Sequence, residues 1–434
     1  MDSRALASAE SRLQAFLAEK VALLGRTERR QWAEVYVRGL LLEGQRKSIE
    51  PIAARVGETD GQGLQQFVNQ SPWAWEPIQE ALTIQLLDRL LPEAVLIIDE
   101  TSFPKQGSHS VGVARQYCGA LGKTANCQVA VTVHLGTDGG SAPLTWDLYL
   151  PAEWIDNAER RAEVGIPHDV VYCTKNELAL RGLDRVLGWG VGPRVVLADS
   201  GYGNSAEFRE ALRARDLPYC VQVEPTTKVW TEAPDPGVPP RRGRGRPRKR
   251  APIEELPTPL DLTGVARSLP PTSWKTVRWR AGTRGALESR FARCQVWIAH
   301  RWTTQRSLPD HPVDLLVEWP ARAMAPTKFW LAEVPGPLLG LRRLVRLAKG
   351  RWRIEMDYRE LKEEVGLDHF EGRSWKGWHH HVTLVSLAYA FLALETLRSK
   401  KNSILDPSPD PAEAPNSSGA LGEVVSTLQA GISE

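Results

Sequence analysis

Apolar residues recur at three- and four-residue steps over residues 5–24 and 28–42, which predicts two amphipathic helices. Two shorter helices are predicted over 48–56 and 62–68, around Gly57-Glu-Thr-Asp-Gly61, and another over 76–91 after the break at Ser71-Pro-Trp73. A short helix pair around a glycine-containing turn fits a DNA-binding helix-turn-helix, and it also fits a plain helical bundle. From residue 93 the pattern becomes that of strands. Ala94–Ile98 is a continuous apolar run ending in Asp99, and Cys127–Leu135 and Pro143–Leu150 follow as strands. A helix over Asn176–Leu187 precedes a second apolar run, Arg194–Ala198, which ends in Asp199. Ser205–Arg213 reads as a helix and Tyr219–Val223 as a strand.

Residues 225–270 are rich in Pro, Gly and Arg and read as a loose excursion. Strands are predicted at Trp274–Ala281, Ser289–His300, Val313–Trp319 and Lys328–Glu333, and helices at Leu338–Leu347, Arg353–Glu364 and Val382–Leu397. From residue 401 the chain has one Lys against five carboxylates and reads as a disordered tail. The expected fold class is α/β, a mixed sheet with helical cover. The expected organisation is a helical DNA-binding region over 1–92 and the first part of a catalytic core over 93–224. An insertion follows over 225–335, then C-terminal core helices over 336–400 and an acidic tail over 401–434.

Composition narrows the class. The chain has 434 residues, 42% hydrophobic and 25% charged, which is ordinary for a globular protein of two or more domains. The strongest apolar stretch, Val382–Leu394, is shorter than the ~18–20 residues of a membrane span, so no membrane association is expected. The first residues lack an apolar signal core, and five scattered cysteines with no Cys-x-x-Cys point to a reducing, cytoplasmic setting without a zinc site. Cys118 and Cys127 read as small buried residues. Net charge is only +3, yet residues 241–250, RRGRGRPRKR, carry seven positive charges and no negative one. Basicity held in one short run points to a polyanion contact.

Two aspartates that end separate buried strands place carboxylates at a sheet edge, where ligands gather in such folds. A third carboxylate lies in Arg351-Trp-Arg-Ile-Glu355-Met-Asp-Tyr-Arg-Glu-Leu-Lys362. As a helix, this segment puts Ile354, Tyr358 and Leu361 on an apolar face and Arg351, Glu355 and Lys362 along another.

These segments resemble a DDE transposase of a bacterial insertion sequence, in the subgroup marked by Tyr-x2-Arg-x3-Glu-x6-Lys. Arg351, Glu355 and Lys362 stand at the required spacings, while the Tyr position falls on Ala348. Further matches are Ile97-Ile-Asp99-Glu-Thr101, Pro104-Lys-Gln-Gly107, Gln116-Tyr-Cys-Gly119, Leu197-Ala-Asp199-Ser-Gly-Tyr-Gly203 and Gly366-Leu-Asp-His-Phe-Glu-Gly-Arg-Ser-Trp375. The resemblance covers roughly residues 30–398.

The resemblance implies an RNase H-like core with Asp99 on the first strand, Asp199 after the fourth and Glu355 on a later helix. It implies two Mg²⁺ ions, with Mn²⁺ as substitute, held by these three carboxylates for in-line phosphodiester cleavage. It assigns DNA phosphates to Arg351 and Lys362, and it suggests substrate contact for Lys105, His109 and Arg115 in the loop after the first strand, where a structural role fits equally well. The implied partners are transposon terminal inverted repeats and target DNA, with a homodimer pairing two ends near the nucleoid. Glu100 should point to the opposite face from Asp99. Asp357, Glu360, Asp368 and Glu371 are expected to face solvent or to support the metal ligands.

Arg244, Gly245, Arg246, Pro247 and Arg248 look like an AT-hook core that lies in an A·T-rich minor groove, or a generic polybasic loop on phosphates. The tryptophans of the insertion, Trp274, Trp279, Trp297, Trp302 and Trp319, read as β-subdomain core, although stacking on a flipped base is a known use of such rings. His379-His-His381 is expected on the surface, with at most one DNA contact. Two further readings remain: a catalytically silent DNA-binding derivative, and a stand-alone RNase H-like nuclease.

Overall fold

A computed structural model describes residues 3–57, 61–90, 93–234, 256–282, 285–300, 308–336 and 339–405. In chain order the elements begin with α1 (Ser3–Val21), α2 (Thr27–Leu41), α3 (Ile49–Arg55), α4 (Gly61–Asn69) and α5 (Glu76–Leu90). Then come β1 (Val95–Pro104), β2 (Ala114–Cys118), β3 (Lys123–Gly136), β4 (Ser141–Leu148), α6 (Ala152–Ile155), α7 (Ala158–Val164) and α8 (Lys175–Gly188). After these come β5 (Val196–Ala198), α9 (Ser200–Gly203), α10 (Ala206–Arg213), β6 (Tyr219–Val223), β7 (Lys228–Trp230), β8 (Leu260–Asp261) and α11 (Leu262–Ser268). The chain ends in β9 (Lys275–Gly282), β10 (Gly285–Ile298), β11 (Val313–Glu318), β12 (Lys328–Glu333), α12 (Leu341–Gly350), α13 (Trp352–Glu363) and α14 (Trp375–Leu405). The result is a mixed α/β protein of two compact units, residues 1–192 with 352–434, and residues 193–351.

The first unit is built around the long strand β3. Strand β1 runs antiparallel along one side of it, from Val95 opposite Gly136 to Pro104 opposite Cys127. On the other side lie β2 and, farther along, β4, also antiparallel. Because β3 continues as a partner beyond Thr132, β1 does not stop at Asp99 as the apolar run suggested. The aspartate sits in mid-strand, paired with Thr132. Strand β2 was not expected, since its alternating but largely exposed residues carry no apolar run. It makes β5 the fifth strand, so Asp199 follows the fifth rather than the fourth. Cys118 and Cys127 are buried together, as expected.

Helix α14 is the post around which the helices of this unit pack. It was expected only from Val382, because its first turns are Trp, Lys and His rather than aliphatic. Trp375–Arg398 is long and apolar enough to cross a membrane by length and composition, unlike the shorter run expected, and 78% of that window is buried inside the protein. The three histidines are not on the surface. His379, His380 and His381 are 4%, 0% and 1% exposed.

Each histidine ring finds its own neighbour, in the diverging directions a helix imposes. His379 stacks on Trp75 at 4.3 Å and His380 on Trp73 at 3.6 Å. Both ring nitrogens of His380 face carbonyls, those of Val68 and Trp73. His381 is bracketed by the Tyr36 hydroxyl at 2.8 Å and the Leu367 carbonyl at 3.0 Å. Burial holds His379 well below the ordinary histidine range and lowers His380 to about 4 and His381 to about 3. Neutral rings at these positions act as aromatic packing that ties α2 and α4 to α14.

In the second unit β5 and β6 are parallel, and β6, β12, β11 and β10 continue antiparallel. The far side of β10 carries β9 along its first half and β7 at its end, and β8 pairs with β7. The stretch 225–270 is therefore not wholly a loose excursion. Val229 of β7 and Leu262, Val265 and Ala266 of α11 close an apolar core with Val296, Val313, Leu315 and Phe329. Burial of these aliphatic side chains, at roughly 25 cal/mol per Å², orders a segment whose composition alone suggested a loop. The basic run 241–250, with Arg244, Arg246 and Arg248, lies outside the described residues, as do Trp302 and residues 406–434 of the expected tail, whose first residues, 401–405, instead continue helix α14.

Candidate active site segments

In β1 the alternation of side chains sends Asp99 and Glu100 to opposite faces. Glu100 pairs with Lys175 at the start of α8, at 2.7 Å. Asp99, 8% exposed, accepts the backbone N–H of Glu100 and lies close enough to Tyr358 of α13 to raise the phenol's pKa, in addition to the larger effect of burial. The Tyr358 hydroxyl meets Thr132 Oγ1 at 2.5 Å, and Thr132 is the residue paired with Asp99 across the sheet. Helix α13 is therefore pinned at the level of the aspartate.

The same helix carries Glu355 in its first turn, exposed, with Ile354, Tyr358 and Leu361 buried behind it. Two more contacts set its position. Lys362 Nζ donates to the Ser102 carbonyl of β1 at 3.0 Å, and burial lowers its pKa. Asp357, expected among solvent-facing or supporting acids, is 3% exposed. Its carboxylate receives Ser141 Oγ at 2.6 Å and Tyr389 OH at 3.0 Å, and it faces His134 Nδ1 at 2.8 Å. The helical pattern places Asp357 on the apolar face, at i+3 from Ile354 and four residues before Leu361, but carries no sign of what satisfies its charge there. Its partners lie on β3, β4 and α14, far away in sequence.

Glu360, one turn on, also meets the Tyr389 hydroxyl, at 2.8 Å. One phenol has one proton, so if it serves Asp357 then Glu360 must bring its own. Burial, with Asp357 and Glu364 adding to it against Tyr389 and Arg359, raises Glu360 from 4.5 to about 7. Between those values the folded protein keeps a proton that the unfolded chain has released, so this contribution to stability is full below 4.5 and lost as the pH rises through 7. Glu360→Gln is expected to remove that dependence and to melt higher than the parent at pH 8, as checked by thermal unfolding at pH 5, 6, 7 and 8. Parallel melting curves for parent and variant at all four values would refute it.

Lys105 and Arg115 differ in availability. Lys105 Nζ donates to the Phe370 carbonyl at 2.6 Å and is mostly buried, whereas Arg115 is exposed on β2. Asp368 and Glu371 are exposed, and Glu371 is paired with Arg46.

In the second unit, Asp199 follows β5 directly and caps α9. Its Oδ1 accepts the N–H groups of Gly201 at 2.9 Å and Tyr202 at 3.4 Å. A carboxylate suits a helix start, where N–H groups lack partners. The rest of Asp199-Ser-Gly-Tyr-Gly203 serves packing. Tyr202 is buried against Phe208, and a Cβ at Gly203 would lie 2.0 Å from the Gln222 carbonyl oxygen, so that position excludes any side chain. Arg351 follows α12, half-exposed. Asp99 and Glu355 thus belong to the first unit and Asp199 and Arg351 to the second. Among the described residues, neither unit by itself groups three His, Cys, Asp or Glu side chains in a way that holds a metal ion.

Comparison with known proteins gives three findings. The family described as DDE superfamily endonuclease matches residues 21–286, which include Asp99 and Asp199 and end before Glu355. The probable transposase for insertion sequence element IS701 of Microchaete diplosiphon is 36% identical over 188 residues, 43% of this chain and 46% of that protein. The match thus spans about half the length of that relative. A piggyBac transposase synaptic complex with hairpin DNA aligns over 96% of this chain and 77% of its own, at 10% identity and a TM-score of 0.41.

Proposed function

The chain belongs to the DDE superfamily endonucleases, and from that premise we propose that it is an insertion-sequence transposase that cuts DNA at transposon ends and transfers the 3′ hydroxyl to target DNA. The observation that carries the reading is the order of the three acidic segments. Asp99 is on the first strand of an antiparallel β1–β3–β4 run, Asp199 is at the C-terminal end of β5, and Glu355 is in the first turn of α13. The RNase H-like assignment rests on the same order. The partial match to a probable transposase supports the activity as distinct from the family.

The donor set fits hard divalent ions, since all three groups are carboxylates and Mg²⁺ and Mn²⁺ prefer oxygen ligands. Asp99, Asp199 and Glu355 would hold the metal. When bound, it supplies a water nucleophile and charge stabilisation at the leaving oxygen. The protein's own groups do the placing. Asp99 is fixed in the middle of a paired strand, and the N–H groups of Gly201 and Tyr202 hold Asp199 in orientation. Tyr358, Asp357 and Lys362 fix the axis and rotation of the helix that presents Glu355. Lys362 is engaged by the Ser102 carbonyl, so its contribution to phosphate binding requires exchange of that bond, whereas exposed Arg115 is already available. The basic run with Arg244, Arg246 and Arg248 adds affinity for DNA through phosphate or minor-groove contacts. Pairing of two transposon ends implies a dimer on DNA.

The test is cleavage of a supercoiled plasmid carrying the flanking transposon ends, with Mg²⁺, with Mn²⁺ and with excess EDTA. Cutting at the ends with either ion and none with EDTA is expected. Binding to the ends without cutting in any metal would replace this reading with that of a silent DNA-binding derivative. Cutting without regard to the ends would favour a stand-alone nuclease.

A further inference from the structure

The exposed face of α4 differs chemically from other surface helices of the protein. Leu64, Phe67 and Val68 are buried, at 0%, 3% and 0% exposure, and fix one face of the helix. The opposite face presents Gln62, Gln65, Gln66 and Asn69 at positions i, i+3, i+4 and i+7, and Gln70 follows. Every side chain on it is an amide, and it carries no charge and no apolar anchor. The three glutamines within α4 are exposed, and Asn69 is partly engaged by the Gln65 carbonyl.

Contacts with α14 and the segment before it hold the helix at its C-terminal end. Gly57, at φ +73°, lets the chain turn after α3, and Ile52 of α3 packs against Gly39 of α2, where a Cβ would lie 2.3 Å from the isoleucine. The C-terminal end of α4 is fixed by Ser374, which donates to the Asn69 carbonyl, and by His380 against the Val68 carbonyl. The amides line an open groove of about 610 Å³ whose other wall carries Arg373, exposed. Two carboxylates also face it, and both have partners. Glu371 is paired with Arg46, and Glu163 lies 3.4 Å from His109 Nδ1.

We propose that α4 is a base-reading helix that enters the major groove of duplex DNA and recognises adenine through Gln62, Gln65 and Gln66. A carboxamide holds a donor and an acceptor in one plane, which matches the acceptor N7 and donor N6 on the major-groove edge of adenine. A recognition helix presents such residues on the face opposite its packing residues, beside a preceding helix that supports it. A protein partner is disfavoured by the lack of an aromatic or arginine anchor on the helix itself. Arg373 at the groove wall fits a flanking phosphate, a contact that positions without specifying sequence. The inference rests on the DNA-binding reading above and adds to it the element, the residues and the base that are read.

The full chain is to be used to select duplexes from a random-sequence pool, in parallel with the double variant Gln65→Ala, Gln66→Ala and with Gln66→Glu. The parent is expected to enrich a short motif containing A·T pairs, and 7-deaza-adenine in that motif should weaken binding roughly tenfold or more. The double variant should lose the motif preference while its affinity for bulk DNA stays within about twofold, as expected for side chains that bear no load in packing. Gln66→Glu should shift the preference at one position from adenine to cytosine, because a carboxylate accepts from the cytosine amino group. A merely structural glutamine would not produce that exchange. Selection of the same motif by all three proteins overturns the proposal. So does a parent that selects no motif yet still cuts plasmid DNA with Mg²⁺, an outcome that leaves the transposase reading standing. A parent that neither binds nor cuts DNA overturns both.

Discussion

Asp199→Asn is expected to reduce metal-dependent DNA cleavage by about a thousandfold, equivalent to roughly 4 kcal/mol of transition-state stabilisation, with little change in thermal unfolding. The choice of asparagine matters because Asp199 has two jobs. Its Oδ1 caps α9 by accepting the N–H groups of Gly201 and Tyr202, and asparagine caps a helix about as well as aspartate. What asparagine cannot supply is the negative charge that holds a divalent ion. Alanine would remove the cap as well, at about 1 kcal/mol, and so confound folding with chemistry. The measurement is the rate of plasmid nicking at saturating Mg²⁺, with a melting curve of the same preparation. Retention of near-parental cutting by Asp199→Asn would remove this residue from the metal site.

Asp357→Ala is expected to destabilise the first unit by about 3–5 kcal/mol and to lower cleavage with it, though Asp357 is not assigned to metal. The carboxylate is buried among Ser141, Tyr389 and His134. Removing it leaves Ser141 and His134 in the interior without their acceptor, while Tyr389 keeps Glu360, and deletion of one buried partner is the costly case. Asp357→Asn keeps the volume and one acceptor oxygen, so its loss should be smaller. Denaturant unfolding monitored by tryptophan fluorescence gives both numbers, and Trp146, close to His134 and Tyr358, reports on this region. An Asp357→Ala protein as stable as the parent would show that the network does not hold α13 in place.

Much of the local structure was legible because burial leaves a periodic trace. The strands Tyr219–Val223 and Lys328–Glu333 coincide with their apolar runs, and Thr27–Leu41 and Lys175–Gly188 lie within a residue of their predicted helices. The acidic segments were legible for a different reason. They are short stretches whose residue types stand at fixed spacings that resemble those of a known family, as with Asp199 and the glycines behind it.

The misreadings have a common physical origin. Asp99 looked like a strand end because apolar residues stop before it, yet pairing continues to Pro104 because β3 offers backbone partners that far. His379, His380 and His381 looked solvated because histidine is polar, yet Trp75, Trp73 and Tyr36 give each ring a buried neighbour. Residues 228–230 and 260–268 looked unstructured because proline, glycine and arginine surround them, yet their few aliphatic side chains complete a core assembled from four other strands.

The sequence by itself determined which faces of the helices and strands turn inward, which acidic motifs recur in order, and that the chain resembles a DDE enzyme. Only the tertiary structure decided which polar residues go inside. Asp357, Glu360, Lys362 and the histidine triplet are committed to partners on elements remote in the chain, and a buried polar group is stable only when such a partner supplies the hydrogen bond that water would otherwise make. Local periodicity records how much apolar surface a segment buries. It carries no record of the distant atom that satisfies a charge or a ring nitrogen.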